Sequence, residues 1–146
     1  MTIEKSLPNM VMVCVDGVEN GDIYGRYFHR YKKEETFFPD SATLVIEMER
    51  FYDAIGYPQA ATKTRKFMER EREKVPAKEH MTVIYDSQTL MHFRGKLATF
   101  LVGVTSRQNA SWQGDVVWMD QKIRKHFCSD MELVVFVDDA VKKSEL

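Results

Sequence analysis

Residues 11–52 lie over residues 100–141 at a constant offset of 89, with no gap. Val13 meets Val102, Val15 meets Val104, Asn20 meets Asn109 and Gly25 meets Gly114. Lys33 meets Lys122, Phe38 meets Phe127, Leu44 meets Leu133 and Val45 meets Val134, giving eight identities in 42 positions. Average composition would give roughly two or three. The matches fall where a shared structure needs them. The valines alternate, as one buried strand face requires. Asn and Gly belong to turns, and Phe precedes a helix start. Each unit reads β-hairpin–α. The repeat predicts an α+β fold of duplicated ββα units with pseudo-two-fold symmetry, at about 9–56 and 96–141. Their hairpins would form one antiparallel sheet with helices packed on one face. The other possibility is two unrelated ββα pieces of similar periodicity.

In the first unit, Asn9–Asp16 carries Met10, Met12 and Cys14 on one side and Val11, Val13 and Val15 on the other. Both sides are apolar, which predicts a strand covered on both faces. The Asn20-Gly21 pair is the turn signal. A returning strand over Ile23–Tyr31 holds Tyr24, Tyr27, Phe28 and Tyr31, exposed aromatics that would suit homodimerisation through the tip of the second hairpin. Asp40 is the expected N-cap of a helix over 40–55, with Leu44, Met48, Phe51 and Ile55 at core spacing. Gly56 ends it, and Pro58 forbids continuation.

The second unit runs from a strand over Leu97–Val104, through a polar segment at 105–114, to a strand over Asp115–Met119. Ser129-Asp-Met-Glu132 is a capping box for a helix over 129–141, with Leu133, Phe136, Val137 and Ala140 inward. Between the units lies 59–95. Its first part, 59–74, reads as a charged helix with a thin stripe at Ala60, Thr64, Phe67 and Met68. Val75–His80 reads as a linker, Met81–Tyr85 as a strand and Leu90–Phe93 as an extended piece.

At 146 residues and 44% apolar, the chain suits a single domain with a core. A net charge of −1 supplies no basic field, so nucleic acid is an unlikely partner. No apolar run approaches the ~20 residues of a membrane helix, and residues 1–8 lack a signal-peptide core. Two cysteines make no disulfide framework, so the expected setting is cytoplasmic.

His29, His80, His92 and His126 are not spaced like a metal motif, and no nucleophile elbow, P-loop or dinucleotide fingerprint occurs. Asp138 and Asp139 are adjacent on a helix and do not share a face. No metal, no cofactor and no catalytic residue is expected. The densest polar set is Arg107-Gln-Asn-Ala-Ser-Trp-Gln-Gly114. Arg107, Gln108, Asn109, Ser111, Trp112 and Gln113 offer a guanidinium fork, amides, a hydroxyl and an aromatic for a ligand or partner. The competing reading has Asn109 and Ser111 in local turn bonds and Trp112 in the core.

Asn109-x-Ser111-x-x-Gly114 is similar to the (Asp/Asn)-x-Ser-x-x-Gly element of PilZ domains, which implies cyclic di-GMP binding. That family's Arg-x-x-x-Arg element is not formed here by Arg94 and Arg107, and Arg65 and Arg70 are off by one. Residues 8–59 and 96–141 resemble an uncharacterised family of short Firmicutes proteins. The likeness rests on the 107–114 segment, on Phe127, Ser129, Glu132 and Leu133 as Phe-x-Ser-x-x-Glu-Leu, and on Tyr57-Pro-Gln59. It implies a shared fold and supplies no activity. The sequence therefore points to a non-catalytic binding or regulatory protein that meets an unknown protein or small anionic ligand through the second hairpin. A nucleotide or cyclic-dinucleotide receptor and a small enzyme of unknown reaction are the alternatives.

Overall fold

The computed structural model describes residues 9–56, 83–108 and 111–144. The elements are β1 (Met10–Glu19), β2 (Asp22–His29), β3 (Thr36–Phe38), α1 (Ser41–Ile55), α2 (Ser87–Leu90), β4 (Ala98–Gln108), β5 (Ser111–Trp118), β6 (Ile123–Phe127) and α3 (Asp130–Ser144). Six strands form one antiparallel sheet in the order β3-β2-β1-β4-β5-β6. The fold is α+β, with the two long helices and the same sheet face sharing one core.

The first β-hairpin is built by local chemistry. Between β1 and β2, Asn20 and Gly21 both take positive φ (55° and 79°), the geometry of a two-residue turn that matches strand twist. A bulge separates Val15 from Gly17, and a second separates Val104 from Ser106. The bounds of β2 and β5 differ by 89 at both ends, as do those of α1 and α3.

β1 is buried on both faces, as its composition predicts. Val11, Val13 and Val15 join the main core with Phe38, Leu44, Met48, Tyr52, Phe100, Val102, Phe127, Leu133 and Val137. Met10, Met12 and Cys14 join a second cluster with Phe28, Leu90, Leu101 and Val117, flanked by Tyr85, Met91 and Phe93. The segment around α2 thus covers part of the sheet face opposite the long helices.

The helix caps follow the sequence. Asp40 accepts from the Thr43 amide at 2.8 Å, and Gly56 closes α1 in the left-handed region. Ser129 Oγ accepts from the Glu132 amide at 3.0 Å, while the Glu132 carboxylate reaches the Cys128 amide at 2.8 Å.

Four expectations are corrected. The sheet has two further strands, β3 and β6, where the sequence suggests only connections. Both are edge strands, and an edge strand needs little apolar alternation; β6 buries only Phe127. The second hairpin has no ten-residue polar tip. The Val104/Ser106 bulge absorbs one residue, and pairing runs on to Gln108 and Ser111. Residues 83–85 form no strand, and Leu90 ends a short helix. The aromatics of Ile23–Tyr31 form no open patch, because Tyr27 and Phe28 are buried within the chain. The charged helix expected at 59–74, the linker at 75–80 and the first part of the 81–85 strand lie outside the described residues.

Candidate functional site

Arg107 and Trp112 face each other across the β4–β5 ladder near its end. Their side chains turn toward α1, where Glu49, Tyr52 and Asp53 occupy one stretch of helix surface. Arg107 is 2% exposed at its side chain. Its Nη1 donates to Glu49 Oε2 at 2.8 Å and to Asp53 Oδ1 at 2.9 Å. Trp112 Nε1 donates to the other Glu49 oxygen, Oε1, at 2.7 Å. The guanidinium carbon lies 5.7 Å from the centre of the Tyr52 ring, and that ring meets Trp112 edge-on at 5.6 Å.

The parts depend on one another. A helix brings residues four apart onto one face, so Glu49 and Asp53 present two carboxylates to one cation. Tyr52, one turn inward, is fully buried, and burial raises its phenol pKa against the lowering effect of Arg107. Its hydroxyl donates to the Asn9 carbonyl at 3.4 Å. The Asn9 side-chain amide in turn donates to the Val104 carbonyl beside the β4 bulge. Helix, hairpin and the start of β1 are thereby tied together at one end of the sheet.

The predicted site residues divide. Arg107 and Trp112 come together and engage the molecule itself, so the guanidinium fork meets two carboxylates of the same chain. Gln113 is exposed, and its carbonyl accepts from the Thr105 hydroxyl at 3.2 Å. Gln108 and Ser111 are a backbone pair at the ladder's end. Asn109 lies outside the described residues. The sequence reading missed Glu49, Tyr52 and Asp53. A signal existed, since two acids four apart flank the apolar stripe of that helix.

The other titratable candidates are structural in their surroundings. His29 stacks on Phe51 at 4.0 Å and its Nδ1 accepts from the Tyr31 amide at 3.2 Å. Burial, aided by the charge of Lys32, lowers its pKa to about 4. Burial also pushes the Cys14 thiol up to about 12. Asp138 pairs with Lys142 at 2.9 Å, and Asp139 is exposed on another face. Among the described residues, no three His, Cys, Asp or Glu side chains converge as metal ligands. Nor is any helix among them long and apolar enough to cross a membrane. An apolar void of about 10 Å³ between α1, α3 and the sheet holds at most a water.

No protein-family model matches the chain, and neither a curated protein nor a solved structure matches it.

Proposed function

We propose that this chain is a non-catalytic binding or regulatory protein that meets its partner through the second hairpin, on a framework made by duplicating one hairpin–helix unit. The observation carrying this reading is a departure from the repeat. Shifted by 89, Arg107 and Trp112 become Val18 and Ile23, while Glu49, Tyr52 and Asp53 become Asp138, Val141 and Lys142. At that other end Asp138 pairs with Lys142 on its own helix. The framework accepts apolar residues at the hairpin positions, so the fold does not demand the polar cluster around Arg107. Sites that break a local rule without need are where function is expected.

In this reading Arg107 and Trp112 are positioning residues. They clamp the end of the hairpin to α1, and the contact is made by the hairpin end, where Gln113 is exposed. A rigid stem lowers the ordering cost of binding. The alternative of a nucleotide or cyclic-dinucleotide receptor would require phosphate to displace Glu49 and Asp53 from the guanidinium. That is a less favourable start than an open fork.

The test is co-purification with the full chain as bait, comparing wild type, a Gln108→Ala/Gln113→Ala variant and a first-hairpin control, Glu19→Ala. A partner retained by wild type and the control but lost by the tip variant supports the reading. Equal retention by all three sinks it. A thermal-shift screen against nucleotides and cyclic dinucleotides addresses the alternative, since ligand at 100 times its Kd adds about 2.7 kcal/mol.

A further inference from the structure

Residues 83–96 cross the sheet face opposite the long helices, over Met10, Met12, Cys14, Leu101 and Val117. Leu90 is fully buried there, and Tyr85, Met91 and Phe93 pack around it. The Phe93 ring lies parallel to that of Phe28, with centres 4.0 Å apart, and Tyr85 meets Phe93 edge-on at 5.0 Å. Cys14, beneath this cover, is fully buried.

The stretch keeps its shape through its own bonds. The Leu90 amide donates to the Asp86 carbonyl at 3.0 Å, the His92 amide to the Thr89 carbonyl at 3.1 Å, and the Thr89 amide to the Asp86 carboxylate at 2.8 Å. Arg94 Nη1 donates to the Met91 and Phe93 carbonyls at 2.5 and 2.8 Å. Its bonds to the frame gather near its two ends. At the start, the Ile84 and Tyr85 amides donate to the Arg30 carbonyl at 2.6 and 3.1 Å, and the Tyr85 hydroxyl to the Lys33 carbonyl at 2.5 Å. Near the end stands Arg26. Its Nε and Nη2 grip the Asp16 carboxylate at 2.8 and 3.0 Å, and Nη2 also donates to the Arg94 carbonyl at 3.0 Å. Asp16 Oδ1 accepts from the Lys96 amide at 3.0 Å. One charge-assisted pair thus ties this end to both β1 and β2.

We propose that residues 83–96 form a releasable strap, latched by Arg26, that lifts from the sheet as one unit while the six-strand ladder and the long-helix core stay formed. Three features carry this. First, the ladder pairs involve none of these residues, so release breaks no strand pairing. Second, among the described residues the core beneath α1 and α3 holds no member of the stretch, so the long helices keep their packing. Third, the internal bonds hold 86–94 together as a piece. Openings short of global unfolding follow boundaries of this kind. Lifting the strap uncovers Met10 and Met12, whose flexible thioethers adapt to varied surfaces, together with the Cys14 thiol. The latch therefore makes this face conditional: it is presented only when Arg26 lets go.

Thiol labelling of Cys14 tests this, in the full chain carrying Cys128→Ser so that one cysteine remains. At low denaturant the expected rate is nearly independent of denaturant, because lifting the strap exposes little surface; near the unfolding midpoint it turns steep. Leu90→Ala and Arg26→Met should each speed low-denaturant labelling at least about tenfold. Val137→Ala, in the core beneath the long helices, should lower the unfolding midpoint yet leave that rate within about twofold of its parent. Labelling that follows global unfolding at every denaturant concentration overturns the proposal. So does a rate that the strap and latch variants leave unchanged, or one that Val137→Ala raises as much as Leu90→Ala does.

Discussion

Met12 on β1 lies directly opposite Leu101 on β4, the residue 89 positions later. The pairs around it exchange in the same way, Val11 with Val102 and Val13 with Phe100. Both side chains belong to the cluster that also holds Met10, Cys14, Phe28, Leu90 and Val117. Truncating either to Ala removes buried volume at the centre of the sheet. Each should cost about 2–5 kcal/mol in denaturant unfolding, and the double variant should depart from the sum of the two. Strict additivity would show that the pair does not work as one contact.

Removing the cation or the anions of the hairpin clamp should have unequal effects. Glu49 and Asp53 are 43% and 46% exposed at their side chains, whereas Arg107 is 2% exposed. After Arg107→Met, water can solvate the two carboxylates, and the expected loss is about 1–2 kcal/mol. After Glu49→Gln/Asp53→Asn, a buried guanidinium keeps neither carboxylate, and the expected loss is about 3–5 kcal/mol. Equilibrium unfolding of both variants decides it, and the reverse order would refute the account.

Gly25 and Gly114 leave no room for a methyl group. A Cβ on Gly25 would sit 2.1 Å from the Cys14 carbonyl oxygen, and one on Gly114 would sit 2.1 Å from that of Gly103. Both obstacles are ladder backbone, which cannot step aside. Gly25→Ala and Gly114→Ala should each cost at least about 3 kcal/mol. Gly21→Ala meets no atom within 4 Å but must hold φ at +79°, which costs about 1–2 kcal/mol. The ranking of unfolding midpoints checks this.

His29 should make stability depend on pH. Its folded pKa of about 4 is below the unfolded value near 6.5. The unfolded chain therefore binds the extra proton between those values. Stability from this group is fully present above pH 6.5 and is lost as pH falls toward 4, by about 3 kcal/mol in all. His29→Phe should flatten that part of the profile. An unchanged slope between pH 6.5 and 4 would assign the effect elsewhere.

Much of the framework was legible because local chemistry decides it. Asn20-Gly21, Asp40, Gly56 and the Ser129–Glu132 box each act within a few residues, and each stands where its residue type predicts. Alternation marked β1 as buried on both faces. Illegible were the features set by distant residues. Thr36–Phe38 becomes a strand because β2 offers it an edge. The polar run at 105–114 stays in the ladder because a bulge corrects its register. Arg107 looked available because only the fold brings Glu49 and Asp53 to it, 58 and 54 positions away.

The central ladder joins strands whose ends are far apart in sequence. Each hairpin can close as soon as its own turn is made, but the inner side of β1 must wait for β4. During synthesis at 5–20 residues per second, that wait is on the order of ten seconds. For this interval a strand that is apolar on both faces has one unpaired edge. That edge is the part of the nascent chain most in need of shielding from its neighbours.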